Sequence, residues 1–373
     1  MSSQTTVPFV DLSIQWEQIR HNVMPEIERL FDASAFCLGP WVDEFEKAIA
    51  SYLEVDHAIA VSSGSAALHL AVIAAGIGPG DKVLVPAHSF IGTLWGVIYQ
   101  GAVPVFCDVE RATGTIDFAD AERRLDGDVK AVIPVHLYGQ PANMKAALEF
   151  SERHGLTMIE DVAQAIGARY NGRPLGSMGS MGCFSFYPGK NLGAAGEGGL
   201  IVTQDADLAQ RLRALRNHGQ TQRYLHEQIG YNYRMDGLQA LVLNSKLRHL
   251  DDWTDQRKRA AERYREGLKG TPLTLPDVVH GDHVYHLYVV RTDRRDDLRS
   301  HLDSRSIQTG LHYPIPLHRQ PCLAQVESAQ SEFLATEEFA GQGLSLPMFA
   351  GITAAQQQQV VDAICSFFEK GER

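Results

Sequence analysis

The chain has 373 residues, 44% of them hydrophobic and 21% charged, with a formal net charge of −11. Such a composition is that of an ordinary globular protein, long enough for a large and a smaller domain. The acidic balance argues against nucleic acid as the main partner, because backbone phosphates repel it, but leaves room for a small anion held by local donors.

The opening MSSQTTVPFVDLSIQWEQIR lacks the basic start and unbroken apolar run of a signal peptide. No apolar stretch nears the roughly 18 residues of a membrane span. Cys37, Cys107, Cys183, Cys322 and Cys365 are odd in number, scattered and without CxxC pairing. They read as reduced thiols acting as small hydrophobes, in keeping with a cytoplasmic protein.

From about Val55 to Thr203, short β-branched runs alternate with helical patterns. HAIAVSS (57–63), DKVLVPA (81–87), AVPVFCDV (102–109), KAVIPVHLY (130–138) and LTMIEDV (156–162) predict strands buried on both faces. SAALHLAVIAAG (65–76), LWGVIYQG (94–101) and MKAALEFSERHG (144–155) predict the helices between them. The alternation predicts an α/β fold with a largely parallel sheet. Beyond Thr203 come a helix at 206–219 and one long helix at 238–269. Strands at 284–292 and 306–314 then flank a helix at 295–304, and a last helix closes the chain. We expect a large domain over 1–244, with an N-terminal arm, and a smaller α+β domain over 245–373. No internal repeat is present.

Four local features bear on chemistry. In SSGSAALHL (62–70) a strand meets a helix start whose free N–H groups, with Ser63, Gly64 and Ser65, suit a phosphate; the same residues suit an ordinary serine cap. Asp161 ends a predicted parallel strand, where ligands of α/β sheets gather. Its carboxylate can pair with a protonated pyridine nitrogen, or simply cap the next turn, and Gln164 lies one helical turn further on. In CFSFYPGKNLGAAGEGGLIV (183–202) an aromatic run delivers Lys190 into a loop with glycines at 193, 196, 198 and 199. Flanked by Phe184, Phe186, Tyr187 and Leu192, its amine is poised for desolvation, a lowered pKa and Schiff-base chemistry; the bland alternative is a surface lysine in a hairpin. LHYPIPLH (311–318) reads as a rigid polar loop lining a cleft, without the ligand spacing of a metal site.

Other chemistries fail on specific residues. SSGSAAL lacks the G-x-G-x-x-G of a dinucleotide fold, and GIGPGD (76–81) follows a helix instead of a strand. No P-loop signature occurs. GSMGSMG (176–182) has Met178 where a hydrolase elbow needs glycine.

Taken in order, SSGSAALHLAV, VPAHSFIGT, VIPVHLYGQP, IEDVAQAIGA, FSFYPGKNLGAAGEGG, LRNHG, GYNYRMDGLQA, HYPIPLH and LSLPMF resemble the DegT/StrS family of sugar aminotransferases over nearly the whole chain. The resemblance implies the aspartate aminotransferase fold (fold type I), with a large, mostly parallel seven-stranded sheet. It implies pyridoxal 5′-phosphate (PLP) bound through Lys190, with Asp161 at the pyridine nitrogen and Gln164 near the phenolic oxygen. Gly64, Ser65 and Ser185 would hold the phosphate and Phe90 would stack on the ring. Asn232 would reach the cofactor phosphate of a neighbouring subunit, making a homodimer with shared sites. Tyr187, Tyr313 and His318 would line the substrate side.

The implied reaction moves an amino group from L-glutamate or glutamine to a keto sugar on a nucleotide. The wording FYPGKNLGA is similar to members acting on a dTDP-linked 3-keto-6-deoxy sugar. Two departures, Glu197 for aspartate and Arg234–Met235 for an arginine–leucine pair, bear on substrate choice. A 4-keto nucleotide sugar, a cyclitol ketone, a sugar dehydration or a non-catalytic regulatory role stand as alternatives. Dehydratases of this fold replace the Schiff-base lysine, which is intact here.

Overall fold

The computed structural model describes residues 6–369. Two helices, α1 (Ser13–Asp32) and α2 (Pro40–Tyr52), precede an alternating run: β1 (His57–Val61), α3 (Gly64–Ala74), β2 (Lys82–Pro86), α4 (Gly92–Tyr99), β3 (Val103–Cys107), α5 (Phe118–Arg124), β4 (Val129–Val132), α6 (Met144–His154) and β5 (Thr157–Asp161). Then follow β6 (Met181–Ser185), β7 (Gly199–Thr203), α7 (Ala206–Arg216), α8 (Gly237–Leu247), α9 (Leu250–Gly267), β8 (Tyr288–Arg291), α10 (Arg295–Asp303), α11 (Leu334–Gln342), β9 (Gly343–Leu346) and α12 (Ala354–Glu369). Small hairpins occupy 169–174 and 220–226.

Seven strands form one sheet in the order β1-β7-β6-β5-β4-β2-β3. Only β7 runs against the rest; it is antiparallel to both β1 and β6, while the other pairs are parallel. Six strands therefore deliver their carboxyl ends to one edge. Alternate residues enter two separate cores: Ala58, Ala60, Phe184, Leu200 and Val202 face one, and Ile59, Val61, Met181, Cys183 and Ile201 the other. Burial on both faces explains why the strand segments read as unbroken hydrophobic runs. Helix α3 is buried nearly all round, because its crossover from β1 to β2 passes under β6 and β7.

A third core gathers Val7, Ala260, Tyr264, Tyr288, Leu298, Ile307, Leu346 and Ile364. Between Ile307 and Leu346 the chain returns to the sheet: Leu317, Leu323 and Phe333 join the α3 side, and the Leu317 N–H bonds to Ala87 O at 2.9 Å. None of the described helices is long and apolar enough to cross a membrane.

Three expectations are corrected. The helix foreseen over 238–269 is two, because the His249 N–H bonds to Lys246 O, three residues back at 2.9 Å, which tightens the turn. That bend lets Leu250 enter the first core while Ala260 and Tyr264 enter the third. The 306–314 strand is absent; Ile307 and Gly310 make only isolated bridges, to Val7 and Ser345. Pro314 and Pro316 supply no N–H beyond them. The 284–292 strand is confined to Tyr288–Arg291, since Val284 and Leu287 bond instead to the backbone of Gly139 and Tyr138. The helices α1 and α2 add elements that the periodicity did not identify.

Candidate active site

The carboxyl ends of β1, β2, β5 and β6 lead into the segments carrying Gly64–Ser65, Phe90, Asp161–Gln164 and Ser185–Lys190. The sheet thus assembles residues more than a hundred positions apart in sequence, at the edge where α/β sheets bind ligands.

Asp161 is buried and ends the central strand β5. Its Oδ2 accepts from the Thr93 hydroxyl at 2.8 Å, itself bonded to Ser89, and its Oδ1 accepts from the Ala163 N–H at 3.1 Å. Burial raises the carboxyl above its ordinary range, against the pull of these donors and of the Lys190 charge. Lys190 keeps partial solvent access, yet enough protein surrounds its amine to lower the pKa to about 8, with Asp161 opposing the shift.

The Lys190 loop is anchored. Leu192 is buried in the core, Asn191 donates to Val284 O at 3.1 Å, and buried Lys246 donates to Gly193 O at 2.8 Å. Gly193 is required here, since a Cβ would stand 2.2 Å from Pro188 O. A free-swinging surface hairpin is thereby excluded for Lys190.

Helix α3 starts with the Ser63 side chain accepting from the Ala66 N–H at 3.1 Å, leaving the first N–H groups of the turn unpaired within the helix. A Cβ on Gly64 would sit 2.7 Å from Ser185 Cβ, and one on Gly92 would sit 3.0 Å from both Ser65 Oγ and the Phe90 ring. Gly64, Ser65, Ser185 and Phe90 therefore enclose one small cradle at the positive end of a helix dipole. Phe90 presents half of its surface to solvent there.

Gln164 is oriented without ambiguity, because its Oε1 accepts from the Tyr138 N–H at 2.7 Å. Its Nε2 therefore donates to Tyr313 Oη at 3.0 Å. Tyr313 packs at 5.7 Å from Phe90 and feels the Asp161 charge, so the structure brings it into the cluster. Tyr187 is exposed, and its carbonyl accepts from the Lys190 N–H at 2.8 Å. His318 has other neighbours: Nε2 meets Glu337 at 2.9 Å and the ring packs on Phe333 at 4.6 Å. Asn232 is exposed on a segment that bridges to Asn217, beside a backbone bond from Ser62 to Tyr233.

Sequence reading missed Thr93, His286 and His312. Burial and, after it, the Lys190 charge depress both imidazoles, His312 to about 4, so both are neutral there. The HYPIPLH block held the signal for His312, but nothing in sequence distinguishes it from His318. Neighbouring Glu160 is structural: its carboxylate accepts N–H bonds from Gly176, Met178 and Gly179 at 2.6–2.8 Å and pairs with His136. The glycine-rich GSMGSMG stretch is the nest for this buried charge.

A partly desolvated lysine beside a buried carboxylate, at the rim of a mostly parallel sheet that also carries a helix start suited to an anion, points to amine-based covalent chemistry. Residues 17–365 match the DegT/DnrJ/EryC1/StrS aminotransferase family, and the chain belongs to it. It is 45% identical to the dTDP-3-amino-3,4,6-trideoxy-α-D-glucose transaminase of Streptomyces venezuelae, over 98% of this chain and 97% of that protein. It is 43% identical to a pleiotropic regulatory protein of Geobacillus stearothermophilus, over 97% and 98%. The crystal structure of S. venezuelae DesV in complex with a ketimine intermediate superposes with a TM-score of 0.95 at 46% identity, covering 98% of this chain and 99% of that one.

Proposed function

We propose that the protein is a PLP-dependent aminotransferase moving an amino group from L-glutamate, or glutamine, to a dTDP-linked 3-keto-6-deoxyhexose. Lys190 beside Asp161 is the observation that carries this reading; the name and the 45% identity of the S. venezuelae relative support the sugar.

The residues fit PLP. The cradle offers a helix N-terminus and two hydroxyls to its phosphate, and the half-exposed Phe90 ring offers a face to its ring. When bound, PLP supplies the electron sink for the bond broken at the donor α-carbon. Lys190 anchors it; a pKa of about 8 leaves part of the amine neutral near pH 7, ready to act as nucleophile and then to carry the α-carbon proton. Asp161, oriented by Thr93 and Ala163, keeps the ring nitrogen protonated. Ser65 and Ser185 would hold the phosphate, and Gln164 would lie near the phenolic oxygen. Tyr187 and Tyr313 face the sugar nucleotide.

A homodimer with shared sites is part of the reading. Exposed Met24, Phe31 and Phe36 on and after α1, with Tyr224 and Ile229 near Asn232, are apolar surface suited to a second copy. Retention of Lys190 and Asp161 supports catalysis over the regulatory role named for the Geobacillus relative.

The test is reduction of the PLP-loaded protein with borohydride, followed by peptide mapping, and turnover of dTDP-3-amino-3,4,6-trideoxyglucose with 2-oxoglutarate in the reverse direction. A pyridoxyl adduct on Lys190 and formation of glutamate are expected. An adduct elsewhere, or none, overturns the assignment. An adduct without turnover of this sugar moves the search first to dTDP-3-amino-3,6-dideoxyhexoses, then to UDP-linked and 4-keto substrates.

A further inference from the structure

Next to Tyr313 in the chain, the His312 carbonyl ends a run of hydrogen-bonded groups that starts at His88 and passes through Tyr138. His88 follows β2 and is fully buried; its Nε2 lies 2.6 Å from Tyr138 Oη. Tyr138 Oη in turn lies 2.5 Å from the backbone oxygen of His312. That carbonyl can only accept, so the Tyr138 proton points to it and Oη must accept from an Nε2–H on His88. The tautomer is thereby fixed, and Nδ1, buried against the Phe339 side, has no hydrogen-bond partner. Burial holds this imidazole neutral, with a pKa near 3.

Tyr138 also has φ 61°, a backbone region that favours glycine. A side chain kept there is strained in the backbone, and its hydroxyl is fully engaged. The same residue uses its N–H to orient Gln164, whose Nε2–H points at Tyr313 Oη. Tyr313 Oη is then an acceptor from Gln164, and its own proton is not used in that bond. His312, the residue before it, is further tied by Nδ1 to Ser345 Oγ at 2.8 Å.

We propose that His88 and Tyr138 are positioning residues for the amino-group acceptor: through the His312 carbonyl they fix the 312–313 segment so that Tyr313 presents a hydroxyl proton to the sugar ring. This rests on the aminotransferase reading. The donor side does not depend on the Tyr138 hydroxyl, because the N–H that orients Gln164 survives Tyr138→Phe.

The experiment compares wild type, Tyr138→Phe, His88→Leu and His88→Gln in two assays. Reverse turnover of dTDP-3-amino-3,4,6-trideoxyglucose gives KM for the sugar and, separately, for 2-oxoglutarate. Hydrogen exchange of the cofactor-free proteins reports the 310–316 backbone. Tyr138→Phe and His88→Leu are expected to raise KM for the sugar about tenfold, to leave that for 2-oxoglutarate within about twofold, and to speed exchange at 310–316. His88→Gln, which keeps an N–H at the reach of Nε2, restores most of both. Equal rises in both KM values, or unchanged exchange in Tyr138→Phe, overturn the proposal. If wild type turns over no sugar, the aminotransferase reading is what suffers, and exchange in the cofactor-free proteins still decides the positioning role.

Discussion

Glu160 and Asp161 are neighbours in β5, yet their carboxylates lie on opposite faces of the sheet and titrate in opposite directions. Both are buried, and burial alone would raise both. Glu160 is overcome by three backbone N–H groups and the Nε2–H of His136, whose Nδ1 accepts from the Ala142 N–H at 3.0 Å. Asp161 has one N–H and one hydroxyl, too few to reverse the shift. One acid serves the fold, and the other is held ready for a cationic partner.

Glu160→Gln is expected to cost about 3 kcal/mol at pH 7, because the N–H nest loses its charge. A folded-state pKa below the ordinary 4.5 gives stability that is present above that value and lost as pH falls through the lowered one. The gap between wild type and variant should therefore close in acid. Asp161→Asn is expected to change stability by less than about 1 kcal/mol while cutting turnover at least a hundredfold or so. Urea titrations at pH 7 and pH 3, with turnover at pH 7, check both; a stable Glu160→Gln would refute the nest.

The Lys190 amine is a cost to the cofactor-free protein. Its folded pKa of about 8 lies below the ordinary 10.5, so between those values the unfolded chain holds the proton and the folded one does not. Stability therefore rises with pH across that window. Lys190→Met should stabilise the cofactor-free protein at pH 7 by about 1–2 kcal/mol, a figure reduced for the partial solvent access of the amine, and the gain should fade by about pH 10. Denaturant midpoints at pH 7 and pH 10 measure it; equal gains at both would mean that burial does not govern this amine.

What the sequence made legible follows the length of chain over which each signal acts. HAIAV, KVLVP, VPVFC and TMIED carry their strand identity within five residues each, and burial on both faces is written in every one. Lys190, Asp161 and Gly64 stand in chain-local patterns of aromatic flank, strand end and helix start. Ile307 and Gly310 were misread as strand because their partners, Val7 and Ser345, lie far off in sequence. Thr93 acts on Asp161 across 68 residues, and only the parallel pairing through β4 brings them together. His312 and His318 share one motif, and it is Ser345 and Glu337, contributed by later segments, that separate their surroundings.

Gly64→Ala tests the cradle. The added methyl would meet Ser185 Cβ at 2.7 Å and its Cα at 3.2 Å, both on the strand side, where little can give. PLP affinity is expected to fall at least about tenfold, roughly 1.4 kcal/mol. Gly127→Ala, where a Cβ meets nothing within 4 Å, is the control and should bind as wild type. Absorbance titration with PLP reads the difference; an unchanged Kd in Gly64→Ala would move the phosphate elsewhere.

Asn232 decides whether the sites are shared. Its segment is fixed to its own chain by the Ser62–Tyr233 and Asn217–Asn232 backbone contacts, while its side chain is exposed. Lys190→Ala and Asn232→Ala dimers should each be nearly inactive. When the two are mixed and allowed to exchange subunits, half the population is hybrid. One of the two sites in each hybrid then joins an intact Lys190 from one subunit to an intact Asn232 from the other. Recovery to about a quarter of wild-type turnover is expected. An Asn232 acting only within its own chain would leave both hybrid sites defective, so a mixture as inactive as its components would rule out sharing through this residue.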